Sequence, residues 1–141
     1  MLLVDSEEPV TAAHQSGSPV HWQPWQHLRW KKPSTADGID CHLMVQIMES
    51  WLLADRDQLK KFFGQGFNEK ALPPLVHNSV ESIPKEDILD GLKRATQNST
   101  KGKYSKGQHS FELLAQLDPN KVTAASPWAQ RLVEELKRRV K

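Results

Sequence analysis

His42-Leu43-Met44-Val45-Gln46-Ile47-Met48-Glu49 is the stretch that decides the fold class. It is short, mostly apolar, and it ends on an acid. Leu2-Leu3-Val4-Asp5-Ser6-Glu7-Glu8 repeats the pattern at the start of the chain. Runs this short predict buried strands over 2–5 and 41–47, not helices. Two apolar strands joined by a helical crossover are expected to lie parallel in one sheet covered by helices. The expected class is therefore α/β. In open sheets of this kind ligands bind outside the carboxyl ends of the strands. Asp5 and Glu7 follow the first strand, Glu49 the second, and Asp55 comes soon after. Carboxylate oxygens so placed suit a hard divalent cation, Mg²⁺ or Mn²⁺. The same acids also serve as turn and helix-cap groups, a frequent use of Asp.

The chain has 141 residues, enough for a single domain with a core. Residues 1–60 carry 5 basic and 8 acidic groups, and residues 61–141 carry 14 and 9. An acidic half, 1–63, is thus expected to bear the sheet, and a basic half, 64–141, to be mostly helical. That asymmetry suits metal-binding carboxylates beside an anion-binding surface, and equally suits solvated helix faces. Cys41 is the single cysteine, so no intrachain disulfide forms and a reducing, cytoplasmic setting is expected. No apolar run approaches the ~20 residues of a membrane span. The first residues lack the basic flank of a signal peptide.

A helix is expected near 23–31, with Pro24 in its first turn. Its segment Trp22–Lys32 interleaves aromatics with Arg29, Lys31 and Lys32, a pattern of packing or of base stacking. Another helix is expected over 49–63, with Met48, Leu52, Leu59, Phe62 and Phe63 as its apolar stripe. Asp55 falls on that stripe, where a carboxylate is costly unless paired, coordinated or capping. Asp55-Arg56-Asp57-Gln58 has the form of a capping box, so a helix restart at Asp55 is the alternative. Residues 67–84 read as irregular, and Lys85–Ala95 as a helix. Asn98–Gln108 reads as a basic loop in which Lys101, Lys103 and Lys106 surround Tyr104, a set suited to phosphate. Phe111, Leu114 and Leu117 mark a short helix ending near Asp118-Pro119. Ser126-Pro127 starts the last one, with Ser as N-cap and Pro in the first turn. Trp128, Leu132, Leu136 and Val140 are its expected stripe. The six histidines form no His-x-x-x-His pair, which argues against zinc. No phosphate-binding P-loop and no nucleophile-elbow motif occurs.

Four phrases taken in order resemble one family: Leu3-Val4-Asp5-Ser6-Glu7; His42-Leu43-Met44-Val45-Gln46-x-Met48-Glu49-x-Trp51-x-x-Ala54-Asp55; Val80-Glu81-x-Ile83-x-Lys85; and Tyr104-x-Lys106 before a Leu113-Leu114 helix. They are similar to the bacterial domain-of-unknown-function 4276 family, grouped with Toprim-like nucleases. The resemblance implies a partial Toprim-like parallel sheet flanked by helices, with a helical C-terminal part. It implies Mg²⁺-dependent phosphodiester hydrolysis, with Asp5 and Glu7 as an Asp-x-Glu variant of the metal-binding pair. Glu49 would be a neighbouring acid, and Lys85 and Lys106 would neutralise phosphate. A nucleic-acid substrate and a partner ATPase in a defence module are implied as well. The family's first strand and its glutamate are not seen here, so the domain over 1–141 is expected to be N-terminally truncated and weakly active. An open sheet edge is then expected to invite a second copy. The alternative expectation is a non-catalytic interaction subunit that binds a protein partner through that edge.

Overall fold

The computed structural model describes residues 1–10 and 40–140. The helix expected near 23–31, with the Trp22–Lys32 segment, lies outside them. Among the described residues two strands form one parallel sheet, β1 over Leu2–Asp5 and β2 over Cys41–Met44. Their register sets Leu2 against Cys41 and Asp5 against Met44. The two apolar runs therefore pair side by side and parallel, as their sequence led us to expect.

β2 is shorter than the run 41–47. Past Met44 the pairing continues through the Ser6 N–H to the Met44 carbonyl at 3.1 Å and the Glu7 N–H to that of Gln46 at 2.7 Å. The chain then turns, and the Ile47 carbonyl accepts from the Ser50 N–H at 3.0 Å. Val45, Ile47 and Met48 are apolar because they are buried, not because they lie in a strand.

Six helices follow among the described residues: α1 Glu49–Leu52, α2 Arg56–Phe63, α3 Lys85–Thr96, α4 Lys106–Gln116, α5 Pro119–Ala125 and α6 Pro127–Arg139. The continuous helix expected over 49–63 is broken at Asp55, whose side chain accepts from the Gln58 N–H at 3.2 Å. The Gln58 amide does not reach back; it donates to Gln116 at 2.7 Å. The sequence offered no expectation of α5. Asp118-Pro119, which ends α4, also begins the next helix: Asp118 accepts from the Asn120 N–H at 2.9 Å. Proline's fixed φ suits that first turn.

Two apolar clusters lie on the two sides of β2. Alternation sends Cys41, Leu43 and Val45 to one side, against Trp128 of α6. Met44 packs on the other side, against the larger cluster built by α1 to α6 around Leu52, Leu53, Phe63, Ile88 and Leu92. Each such fully buried side chain contributes roughly 1.5–3 kcal/mol. α6, from the basic half, therefore packs directly against a strand of the acidic half.

Two expected stripes differ. Phe111 is 79% exposed. It stands two residues, about 200° around the helix, from the buried Leu113. On α6 Trp128 is buried, but Leu136 and Val140 are exposed, and Arg131 and Glu135 are buried instead. Polar partners permit this. Arg131 donates to the Cys41 carbonyl at 2.5 Å and lies 3.0 Å from His42 Nδ1. Arg138, against the opposing effect of burial and together with Arg139, holds the Glu135 carboxyl at about 2. Cys41 is a fully buried core residue, and that burial pushes its thiol up to about 12.

Candidate functional site

The carboxyl end of β1 and the turn after β2 deliver their acids to one place. Asp5 ends β1, Glu7 lies two residues on, and Glu49 opens α1. All three line a cavity of about 600 Å³. Lys85 from the first turn of α3 and Lys106 from the first turn of α4 line it too, with Tyr104 and Ser105 beside Lys106.

Gln46 joins these pieces. Its buried amide accepts from the Lys85 N–H at 3.3 Å and donates to the Glu81 carbonyl at 3.5 Å. The start of α3 is thereby tied to the end of the sheet. Glu81 in turn accepts from the Ser126 hydroxyl at 2.5 Å and the Trp128 N–H at 2.9 Å, which fixes the start of α6. Glu7 has a φ of 65°. The left-handed region costs a residue with a Cβ roughly 1–2 kcal/mol. The Gln46 carbonyl and an ion pair with Lys85 at 3.2 Å hold it there. Strain stored at such a point is common where a side chain must be aimed.

The carboxylates differ in their satisfaction. Asp5 Oδ1 is buried without a hydrogen-bond partner. Burial, against the opposing charge of Lys106 and reinforced by Glu49 and Glu7, raises its carboxyl to about 6. Glu49 is 1% exposed, accepts from the Tyr104 hydroxyl at 3.4 Å, and has the Lys106 ammonium at 3.9 Å. Burial, then the charge and hydrogen bond of Glu49, raise the Tyr104 phenol, so it stays protonated and donating.

Tyr104 is itself anchored through its N–H to Thr96 Oγ1 at 2.7 Å. The loop that carries it is clamped against Gly66, at φ 89°, where a Cβ would stand 2.0 Å from the Asn98 carbonyl oxygen. Only glycine lets the backbones approach this closely.

Asp55 is not part of this cavity. Its oxygens accept from Gln58, from the Asp118 N–H at 2.9 Å and from Lys121 at 3.2 Å. The three lysines of the basic loop part company. Lys101 sits 4.5 Å over the Phe62 ring, Lys106 lines the cavity, and Lys103 lines a neighbouring one. Among the described residues no group of three or more His, Cys, Asp or Glu side chains stands close enough to hold a metal ion together. Glu7 is ion-paired with Lys85 at 3.2 Å.

Over residues 1–137 the chain matches the family model described as Domain of unknown function (DUF4276). It belongs to the DUF4276 family. No curated protein and no solved structure matches it. In this DUF4276 chain the sequence left several polar cavity residues without a role, among them Glu86, Ser105, Lys93 and Tyr104, the last noted as a loop aromatic and as part of the Tyr104-x-Lys106 phrase. Lys93 was legible in principle, since Lys85, Leu89 and Lys93 recur every four residues along one face of α3. The contact of Tyr104 with Glu49 spans 55 residues, and no local pattern announces it. No described helix is long and apolar enough to cross a membrane.

Proposed function

We propose that this DUF4276 chain is a metal-dependent phosphodiesterase of nuclease type, with the strand-end cavity as its site and a Toprim-like arrangement of acids. The observation that carries this is Asp5 Oδ1, a buried oxygen with no partner, in a cavity lined also by Glu7, Glu49, Glu86, Lys85, Lys93 and Lys106. Such an oxygen calls for positive charge, a proton or a cation.

The residues fit Mg²⁺ or Mn²⁺ by chemistry. Mg²⁺ is commonly held by one or two carboxylates, with waters and substrate phosphate completing the shell. Asp5 and Glu49 meet that need without a third carboxylate. When bound, the ion polarises a phosphoryl oxygen and lowers the pKa of a bound water. The Tyr104 hydroxyl steadies the Glu49 carboxylate. Lys106, with a side chain 65% exposed, offers its charge to a phosphate in the cavity. Lys85 fixes Glu7. The first turn of α4 lines the cavity with no side-chain cap and no acid in it, so its dipole favours an anion there. The wider setting we propose is cytoplasmic, with nucleic acid as substrate and an ATPase as partner.

The test is calorimetric titration of Mg²⁺ and Mn²⁺ into wild type and Asp5→Asn, with cleavage of labelled oligonucleotides alongside. At least tenfold weaker binding and loss of cleavage in the variant support the proposal. Equal, weak binding by both proteins sinks it. The second reading, a subunit that binds a partner along β1, would then stand on Leu2 and Leu3, which are 40% and 37% exposed.

A further inference from the structure

A second cavity of about 260 Å³ lies beside the first, lined by Asp90, Lys93, Arg94, Gln97 and Lys103. Lys93 lines both. Three cations face one carboxylate in the second cavity, so its charge is opposite to that of the acidic strand-end cavity. None of Lys93, Arg94 and Lys103 is ion-paired with a carboxylate among the described residues, whereas Lys85, Lys121, Arg138 and Arg139 all are. Cations left without carboxylate partners are available to an external anion.

The two cavities lie along α3. Lys85, Leu89 and Lys93 face the first, while Asp90, Arg94 and Gln97 face the second. Lys85 and Gln97 are twelve residues apart, about 18 Å along a helix axis. That length spans a few nucleotides of a strand. Lys103 reaches the second cavity from the loop before α4, the same loop that brings Tyr104 and Lys106 to the first.

We infer that the second cavity is a phosphate subsite of the same site, holding the backbone of a nucleic-acid strand a few nucleotides from the acids. This rests on the phosphodiesterase proposal and names the residues outside the acidic cavity that hold its nucleic-acid substrate. Lys93 is the shared contact, Arg94 and Lys103 grip phosphate oxygens, and Gln97 donates from its amide. Asp90 sets the rim and repels a strand that strays from the track.

Fluorescence anisotropy with a labelled oligothymidylate of twelve nucleotides tests this. The full chain is used in EDTA, so that cleavage plays no part, and across a salt series. The variant is Arg94→Gln with Lys103→Gln. The control is Lys60→Gln with Lys61→Gln, an equal loss of charge from the exposed end of α2. The expected result is roughly tenfold weaker binding for the first variant and a salt slope lower by about 1.4, about 0.7 for each cation on a single strand. The control should match wild type. Wild type that does not bind the oligonucleotide, a variant that binds as wild type does, or a control that loses as much as the variant would each overturn the subsite. An Asp5→Asn protein that still cleaves with Mg²⁺ would topple the phosphodiesterase proposal, and the anisotropy result would still decide the subsite.

Discussion

Asp55 accepts from three donors, the backbone of Gln58 and Asp118 and the ammonium of Lys121. Asp5, at the end of β1, keeps one buried oxygen with none. Burial raises both carboxyls. At Asp55 the hydrogen bonds overcome that and leave it below the usual range, whereas at Asp5 nothing does and it rises to about 6. A carboxylate that holds a fold together is satisfied by the fold. One left unsatisfied, in a cavity with other charges, is waiting for something the fold does not supply.

The largest expected effect tests the satisfied partner. Asp55→Ala strands the N–H groups of Gln58 and Asp118 and the Lys121 charge, at a cost of about 3 kcal/mol. Urea denaturation at pH 7 measures it. A loss below ~1 kcal/mol would show that the junction of α1, α2 and α5 tolerates an empty cap.

Next comes the cation. Mg²⁺ at a hundred times its Kd for wild type should stabilise wild type by about 2.7 kcal/mol and Asp5→Asn, binding at least tenfold more weakly, by no more than about 1.4 kcal/mol. Thermal denaturation with and without Mg²⁺ reads the difference. Equal stabilisation of both would remove Asp5 from the ligand set.

Without metal the sign reverses. Asp5 binds its proton more tightly in the folded protein, so stability falls as pH rises from 3.8, its ordinary value, to about 6. Partial exposure trims the loss to roughly 1–2 kcal/mol. Asp5→Asn should therefore be more stable than wild type at pH 7.5 by that amount, and should match it below pH 4. Asp55 behaves oppositely. Its lowered carboxyl contributes stability above its unfolded value, near ~3.9, and that is lost as pH falls through this range. Asp55→Ala and wild type should converge in acid. Denaturation curves from pH 3 to 8 test both limbs, and parallel curves would erase the contrast.

A finer probe is Lys121→Met. It removes one of the donors that lower Asp55, so the Asp55 carboxyl should titrate at higher pH, observable by NMR. No change would mean that the backbone donors suffice. The smallest effect is expected at Phe111→Ser, within about 0.5 kcal/mol, because that ring lies in solvent. A larger loss would mean that Phe111 is covered in solution.

Local chemistry carried much of the architecture. Periodicity announced α3, whose turns repeat Ile88, Leu92 and Ala95, and Ser126-Pro127 announced α6. Short apolar runs announced β1 and β2, because a strand end needs only neighbouring residues to be recognised. Asp5, Glu7 and Glu49 were legible as acids after strands, and the parallel register places them at the same edge of the sheet.

Other features depended on partners remote in sequence. The Asp-x-x-Gln phrase allowed both a cap and a ligand at Asp55, and the donors from Asp118 and Lys121, more than 60 residues away, made it a cap. The cost of burying charge argued against Arg131 and Glu135 as interior residues, yet the Cys41 carbonyl and two arginines make them so. Side-chain type fixes what a residue can bond, and position along the chain fixes its helix or strand face. Whether every oxygen of a carboxylate finds a donor depends on which distant backbone groups packing brings to it, and it is this that separates Asp55 from Asp5.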